Sequence, residues 1–149
     1  MLPNSAIRRL DPNSRLLRHL AAEARLEGFR FVDRMIAEAD AGSVCFQKAG
    51  ERFCGVFQDT SLVACGGISR DPYTAEQMGR VRHVYVLKAA RRRGVATLLV
   101  NELLKQSAKD FQTIRLRTST AEAARFYETL GFRRTGARDA THIYAAGAA

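Results

Sequence analysis

The chain has 149 residues, with 46% hydrophobic and 26% charged side chains, a balance that suits one folded domain spanning 1–149 and excludes a disordered or fibrous chain. No apolar run approaches a membrane span, and Met1-Leu2-Pro3-Asn4-Ser5 is not followed by the apolar stretch of a secretory leader. The net charge of +9 favours anionic partners (phosphorylated cofactors, nucleic acid, acidic lipid) without choosing among them.

Residues 6–10 read as an opening strand. Asp11-Pro12 reads as a helix start, because aspartate can cap free N–H groups and proline at the first helical position loses nothing. Leu16, Leu17, Leu20, Ala21, Ala24 and Leu26 then form a helical stripe that Gly28 ends. A second helix is expected over about 30–40, with Phe31, Val32, Met35, Ile36 and Ala39 inward. Arg52 to Gln58 and Ser61 to Ser69 form a hairpin about Asp59-Thr60. A two-residue turn would set Cys54 opposite Cys65, and Gly66-Gly67 suggests a bulge. The three cysteines, Cys45 included, are odd in number and lack Cys-x-x-Cys spacing. They read as reduced packing residues with no metal site, which suits a cytoplasmic setting.

Val81 to Leu87 is the most strand-like run. A basic loop, Lys88 to Arg93, leads into a helix from Gly94 to about Lys109, with Val95, Leu98, Leu99, Leu103, Leu104 and Ala108 on its apolar side. Thr113 to Thr118 is a further strand. Ser119-Thr120-Ala121-Glu122 has capping-box spacing before a helix that runs to Leu130 and closes at Gly131. Phe132 to Arg134 and Thr141 to Ala145 supply the last strands. The order β-α-α-β-β-β-α-β-α-β describes an α/β (α+β) fold around a mixed sheet flanked by about four helices.

Chemistry concentrates where Val84-Tyr85-Val86-Leu87 gives way to Arg91-Arg92-Arg93-Gly94-Val95-Ala96-Thr97. A helix start exposes free N–H groups and the positive end of the dipole, where phosphate binds readily. Gly94 lets the backbone approach a ligand, Ala96 keeps the surface small, Thr97 adds a hydroxyl, and three arginines add charge. This suits a pyrophosphate. There is no Gly-x-x-x-x-Gly-Lys-Ser/Thr and no Gly-x-Gly-x-x-Gly, which argues against nucleotide triphosphates and dinucleotides.

The segment resembles the coenzyme A loop of the GNAT superfamily of N-acetyltransferases, Arg/Gln-x-x-Gly-x-Gly/Ala, at Arg91, Gly94 and Ala96. Downstream, Ala123-Ala124-Arg125-Phe126-Tyr127-Glu128-Thr129-Leu130-Gly131-Phe132 resembles that family's second signature. The resemblance is strongest over about 81–134. It implies a mostly antiparallel sheet splayed between strands 4 and 5, with acetyl-CoA as cosubstrate in the split. The pantetheine arm would bond to the backbone of Val84, Tyr85 and Val86, and the pyrophosphate would lie on Arg91 to Thr97. Thr120, Ala123, Phe126 and Tyr127 would complete the cofactor side, with Tyr127 protonating the departing thiolate. The amine would attack the thioester directly, in a ternary complex.

Two positions depart from the family pattern. Arg80 stands where many relatives carry a glutamate base, and Thr120 where many carry asparagine. His83 is then a candidate base, by its ordinary pKa of about 6.5, although its alternation with Val84 and Val86 points it to the other face of the sheet. Asp71, Glu76 and His142 are further candidates.

The acceptor regions implied by the resemblance hold Arg25, Arg30, Arg34, Arg70, Arg80, Arg82 and Arg138. This suits a small primary amine bearing an acid group, such as an amino acid. Acetylation of a protein N-terminus or lysine and a non-catalytic acyl-CoA sensor are the alternatives. A nucleic-acid partner has only the charge in its favour. Homodimerisation is common among such relatives.

Overall fold

The computed structural model describes residues 4–43 and 45–146; Met1-Leu2-Pro3, on which the leader reading rests in part, lie outside them. Seven strands form one sheet in the order β1-β2-β3-β4-β5-β7-β6. They are β1 (Ser5–Arg9), β2 (Arg52–Gln58), β3 (Ser61–Arg70), β4 (Gly79–Val86), β5 (Thr113–Leu116), β6 (Arg133–Arg134) and β7 (His142–Ala145). All neighbours are antiparallel except β4 and β5. Those two pair only at Gly79–Ile114 and Arg80–Arg115 and then diverge. The α/β class and the split between strands 4 and 5 are as the sequence implied.

Four helices cover the two faces: α1 (Arg18–Leu26), α2 (Phe31–Asp40), α3 (Val95–Ser107) and α4 (Ala121–Thr129). On one face α3 packs Val95, Leu99, Val100, Leu103 and Leu104 against Val56, Ala64, Ile68, Val81, Ile114 and Leu116, with Tyr127 of α4 in the same cluster. On the other face Leu20, Ala21 and Ala24 of α1 and Val32 and Met35 of α2 pack against Phe53, Phe57, Leu62, Cys65 and Tyr85. Strand residues alternate between the two clusters because successive side chains point to opposite faces.

Three local expectations are corrected. The first helix does not start at Asp11-Pro12. Ser14 accepts the Leu16 amide and opens a short 3₁₀ turn, Arg15–Leu17, which leads into α1. In the hairpin a bulge between Val56 and Phe57 shifts the register, so Cys54 pairs with Gly66 and Cys65 with Gly55. The two thiols therefore belong to clusters on opposite faces and are free. At α4 the cap is Thr120, whose hydroxyl accepts the Ala123 amide, where the capping-box spacing placed it at Ser119. The bulge read from Gly66-Gly67 is present in the β3–β4 ladder, with the additional residue on β4.

That second bulge sets the site. Cys65 pairs with Tyr85 and Gly67 with Arg82, so Gly66 faces both His83 and Val84. His83 takes up the additional residue at φ 62°, a left-handed conformation uncommon outside glycine. Val81 belongs to the α3 cluster, and Val84 and Val86 pack against it. Arg82 and His83 are thus successive residues turned toward α1 and α2.

The last paired rung is held by a buried ion cluster. Asp71 Oδ2 accepts from Arg115 Nε at 2.8 Å and from Arg80 Nη1 at 3.3 Å. The Asp71 side chain is 0% exposed. Burial works to raise the Asp71 carboxyl, but the Arg115 hydrogen bond, the Tyr73 amide and the charges of Arg80 and Arg115 outweigh it and hold it below the ordinary 3.8. Arg80 also donates to Asp139 O at 2.8 Å and lies 4.7 Å from the Tyr73 ring centre. Asp71→Asn strands two buried guanidinium groups and is expected to cost about 3–5 kcal/mol, read as a lowered urea midpoint at constant m-value. Because the folded pKa is depressed, Asp71's contribution is full above about pH 4 and fades as pH falls below it; the gap between wild type and Asp71→Asn should close at low pH.

Candidate active site

The divergence of β4 and β5 opens a cleft of about 950 Å³, at the upper end of the roughly 300–1,000 Å³ usual for cofactor sites. It reaches both faces of the sheet. Val95, Ala96, Thr97, Ala123, Phe126 and Tyr127 line it on the α3 and α4 side, and Glu27, Phe29, Phe31 and His83 on the α1 and α2 side. Because β5 has turned away beyond Arg115, the β5-facing edge of β4 is left open from Val81 onward.

At the outer end, β4 passes through the short turn Lys88–Ala90 into the loop before α3. Gly94 is the N-cap at φ 76°, and no side chain caps the helix. Arg92 is also left-handed, at φ 64°. Two left-handed residues this close together turn the chain sharply just before α3, a conformation able to curve backbone N–H groups toward an anion. The first turn of α3, Val95 to Thr97, carries no acidic residue and forms the cleft wall, so its amides and the helix dipole present positive potential there.

Among the sequence-derived candidates, Val84, Tyr85, Val86, Arg91, Arg92, Gly94, Val95, Ala96, Thr97, Thr120, Ala123, Phe126, Tyr127 and His83 all line this one cleft. Arg93 is exposed in the same loop but is not part of the lining. The Arg91 guanidinium does not point freely into the cleft. It grips Glu27 at 2.6 and 3.1 Å, donates Nε to Val86 O at 2.9 Å, and lies 5.5 Å from the Tyr85 ring centre. The Tyr85 hydroxyl sits 2.6 Å from Glu23 and 2.5 Å from Glu27, its single proton serving one carboxylate at a time. Glu23 also accepts the Lys88 amide at 3.1 Å. The Arg91 hydrogen bond, then that of Tyr85, brings the Glu27 carboxyl down to about 2. Burial and the two carboxylates push the Tyr85 phenol up, well beyond its usual range. Glu27 was not legible as a site residue, since its partner Arg91 lies 64 positions away and nothing local in α1 signals it.

Tyr127 is 8% exposed and packs edge-on between Phe126 and Phe132. Burial pushes its phenol up, so it stays protonated at neutral pH and can donate to an anion forming in the cleft. His83 lies on the opposite face, 6.4 Å from the Phe31 ring and 6.3 Å from Phe46. Burial first, then the charges of Arg82 and Arg34, bring it down to about 3. A neutral imidazole of that basicity is a hydrogen-bonding group and a weak proton acceptor. Of the other candidate bases, Asp71 is held by two arginines and Glu76 is exposed. His142 is buried beside a separate pocket, with Nε2 2.8 Å from Glu128.

Among the described residues no group of three or more His, Cys, Asp or Glu is arranged to hold a metal ion, and no helix is long and apolar enough to cross a membrane.

Comparisons with known proteins bear on this arrangement. The family model of the acetyltransferase (GNAT) domain matches residues 49–134. An Exiguobacterium sp. 255-15 protein assigned as an acetyltransferase is 30% identical, with TM-score 0.82, over 95% of this chain and 93% of its own. A GNAT-family acetyltransferase of Staphylococcus aureus Mu50 superposes with TM-score 0.71 at 14% identity, over 95% and 99% of the two chains. An aminoglycoside 6′-N-acetyltransferase complexed with coenzyme A superposes with TM-score 0.70 at 18% identity, over 97% and 98%. The last two likenesses are of fold. A search of curated proteins gives no match.

The Glu27–Arg91 contact yields a direct expectation. Glu27→Ala should speed amide hydrogen exchange across Lys88 to Gly94, with a loss of global stability near 1 kcal/mol because Arg91 is partly solvated. Since the folded Glu27 pKa lies near 2, below the ordinary 4.5, the contact is at full strength above about pH 4.5 and is lost as pH falls toward 2. Wild-type loop protection should therefore persist at pH 5.

Proposed function

The chain belongs to the GNAT acetyltransferase family, and we propose that it moves an acetyl group from acetyl-CoA to the primary amine of a small molecule, an amino acid or another amine bearing an acid group. The observation that carries this reading is a single cleft with an uncapped helix start at its mouth and a buried, protonated tyrosine inside. The coenzyme A complex of the aminoglycoside acetyltransferase, which shares the fold, supports acetyl-CoA as the cosubstrate.

On this reading the pyrophosphate lies against the Val95–Thr97 amides and the Arg92 turn. Arg91 keeps the loop in shape by bonding to Glu27 and Val86. The open edge of β4 at Val84 to Val86 takes the amide groups of the pantetheine arm, which places the thioester between the two strands. The amine attacks the thioester carbon, and a strand amide stabilises the oxyanion. Tyr127 then supplies a proton to the thiolate as the carbon–sulfur bond breaks, and the proton given up by the newly acetylated nitrogen leaves through water in the open cleft, from which the phenolate is reprotonated. Binding energy and orientation do much of the work, since the two substrates meet in one cleft without a covalent enzyme intermediate.

A thermal melt with acetyl-CoA, against free adenosine, tests the cofactor. Ligand at about 100 times its Kd adds about 2.7 kcal/mol, a clear rise in Tm with acetyl-CoA alone. No rise at millimolar acetyl-CoA would overturn the assignment. Tyr127→Phe should keep the melt shift and lower kcat by about 10²–10⁴-fold; an unchanged kcat would remove Tyr127 from the proton transfer.

A further inference from the structure

Arg80 and Arg115 form the last paired rung between β4 and β5. Continuing that register two residues sets Arg82 opposite Arg117 across the opening. Ile114, Leu116 and Val81 belong to the α3 cluster, so Arg80, Arg82 and Arg115 turn to the other face, toward α1 and α2; Arg117, the first residue after β5, lines both the cleft and the neighbouring pocket around Arg138. Four arginines from the two strands and the residue after β5 thus gather around the closed end of the cleft.

Their compensation is uneven. Arg80 and Arg115 share the carboxylate of Asp71, and the charges of Asp139 and Glu76 also act on Arg115. Arg82 has no carboxylate partner among the described residues, and Arg117 reaches only a main-chain oxygen, Arg138 O, at 3.4 Å. Both line the cleft. The cleft carboxylate on this face, Glu27, is taken by Arg91, Lys88 and Tyr85. The neighbouring His83 is disfavoured from protonating first by burial and then by the charges of Arg82 and Arg34.

The two faces of the cleft therefore differ in kind. The α3 and α4 side offers backbone amides and Tyr127. Near the closed end stand Arg82 and Arg117, without a carboxylate partner among the described residues, and the α1 and α2 side adds the aromatic rings of Phe29 and Phe31. Guanidinium groups on two diverging strands suit a small anion held between them, and the planar fork of arginine matches a carboxylate or the oxygens of a phosphonate.

We propose that Arg82 and Arg117 hold the acid group of the acceptor across the β4–β5 opening, so that this face selects amines carrying a carboxylate or phosphonate over their neutral counterparts. The inference rests on the acetyl-transfer reading above, and it assigns the acceptor's acid group to two particular residues. The arginine pair fixes the acid end, and the amine end reaches through the gap between the strands toward the thioester. Arg80, bonded to Asp71 and Asp139 O, acts as a fixed wall of this pocket.

The test follows thiol release from acetyl-CoA with two acceptor pools. One holds the common protein amino acids with 2-aminoethylphosphonate. The other holds the same amino acids as primary amides, with aspartate and glutamate as diamides, and ethanolamine. Turnover is expected with the first pool and at least about tenfold less with the second. For the best acceptor, Arg82→Gln and Arg117→Gln should each lower kcat/KM by about 10- to 100-fold, chiefly through KM, while keeping the acetyl-CoA melt shift that shows a folded, cofactor-competent protein. Equal or greater turnover of the neutral pool, variants that leave kcat/KM unchanged, or no turnover of either pool with the melt shift intact would each overturn the proposal. Loss of the wild-type melt shift would instead strike the acetyl-CoA reading itself.

Discussion

The geometry of the cleft depends on one buried carboxylate. Asp71, at the end of the β3–β4 hairpin, bonds to Arg80 of β4 and Arg115 of β5, and those two residues are also the last backbone pair between the strands. A parallel pair of strands that separates must stop pairing somewhere, and the point of separation fixes how wide the cleft is at each depth. Burying three charges is expensive unless they satisfy one another, so the cluster holds only in a narrow geometry. A structure that depends on such a cluster gains a defined apex for its cleft even where the net stabilisation is small.

Beyond the apex, the structure avoids wasting positive charge. Arg91 looks like a phosphate ligand in the sequence, yet its guanidinium ties the loop to α1 through Glu27 and to β4 through Val86. What remains for an anion at the mouth is the backbone of α3's first turn and the Arg92 turn. Backbone amides positioned by a helix need no reorganisation when a phosphate arrives, whereas a long flexible side chain loses rotamer freedom on binding. Using the arginine as a brace and the amides as the cradle places the entropy loss in folding.

The family, the fold class and the split in the sheet were legible in the sequence because the signals are local. Arg91, Gly94 and Ala96 before an apolar helical stripe, and Phe126-Tyr127 before Gly131-Phe132, are short strings that mark the family, although the part Arg91 plays as a brace did not follow from its neighbours. The register error in the hairpin has a local cause. A bulge inserts a residue without any mark in the hydrophobic pattern, so counting from Asp59-Thr60 placed Cys54 against Cys65, while the fold sends them to opposite faces. Glu27 and the Asp71 cluster stayed hidden because their partners are 64 and 44 residues away. Arg115 alternates with Ile114 and Leu116 like an exposed strand residue, and only the packed loop after β3 buries it.

The β4 bulge links these separate features. Without it, Arg82 and His83 would take opposite faces, and His83 would share the α3 side with Val81. With it, both turn toward α1 and α2, and Val84 and Val86 recover the α3 side. The strand therefore presents apolar residues and an open backbone edge where an extended cofactor arm can lie, and charge on the reverse face. His83 bears the local conformational strain, of order 1 kcal/mol for a left-handed residue, and packs against the rings of Phe31 and Phe46. A one-residue irregularity in a single strand thus separates an apolar surface with an open backbone edge from a charged one within the same cleft, and on the acetyl-transfer reading proposed above the sheet is the partition across which the two substrates meet.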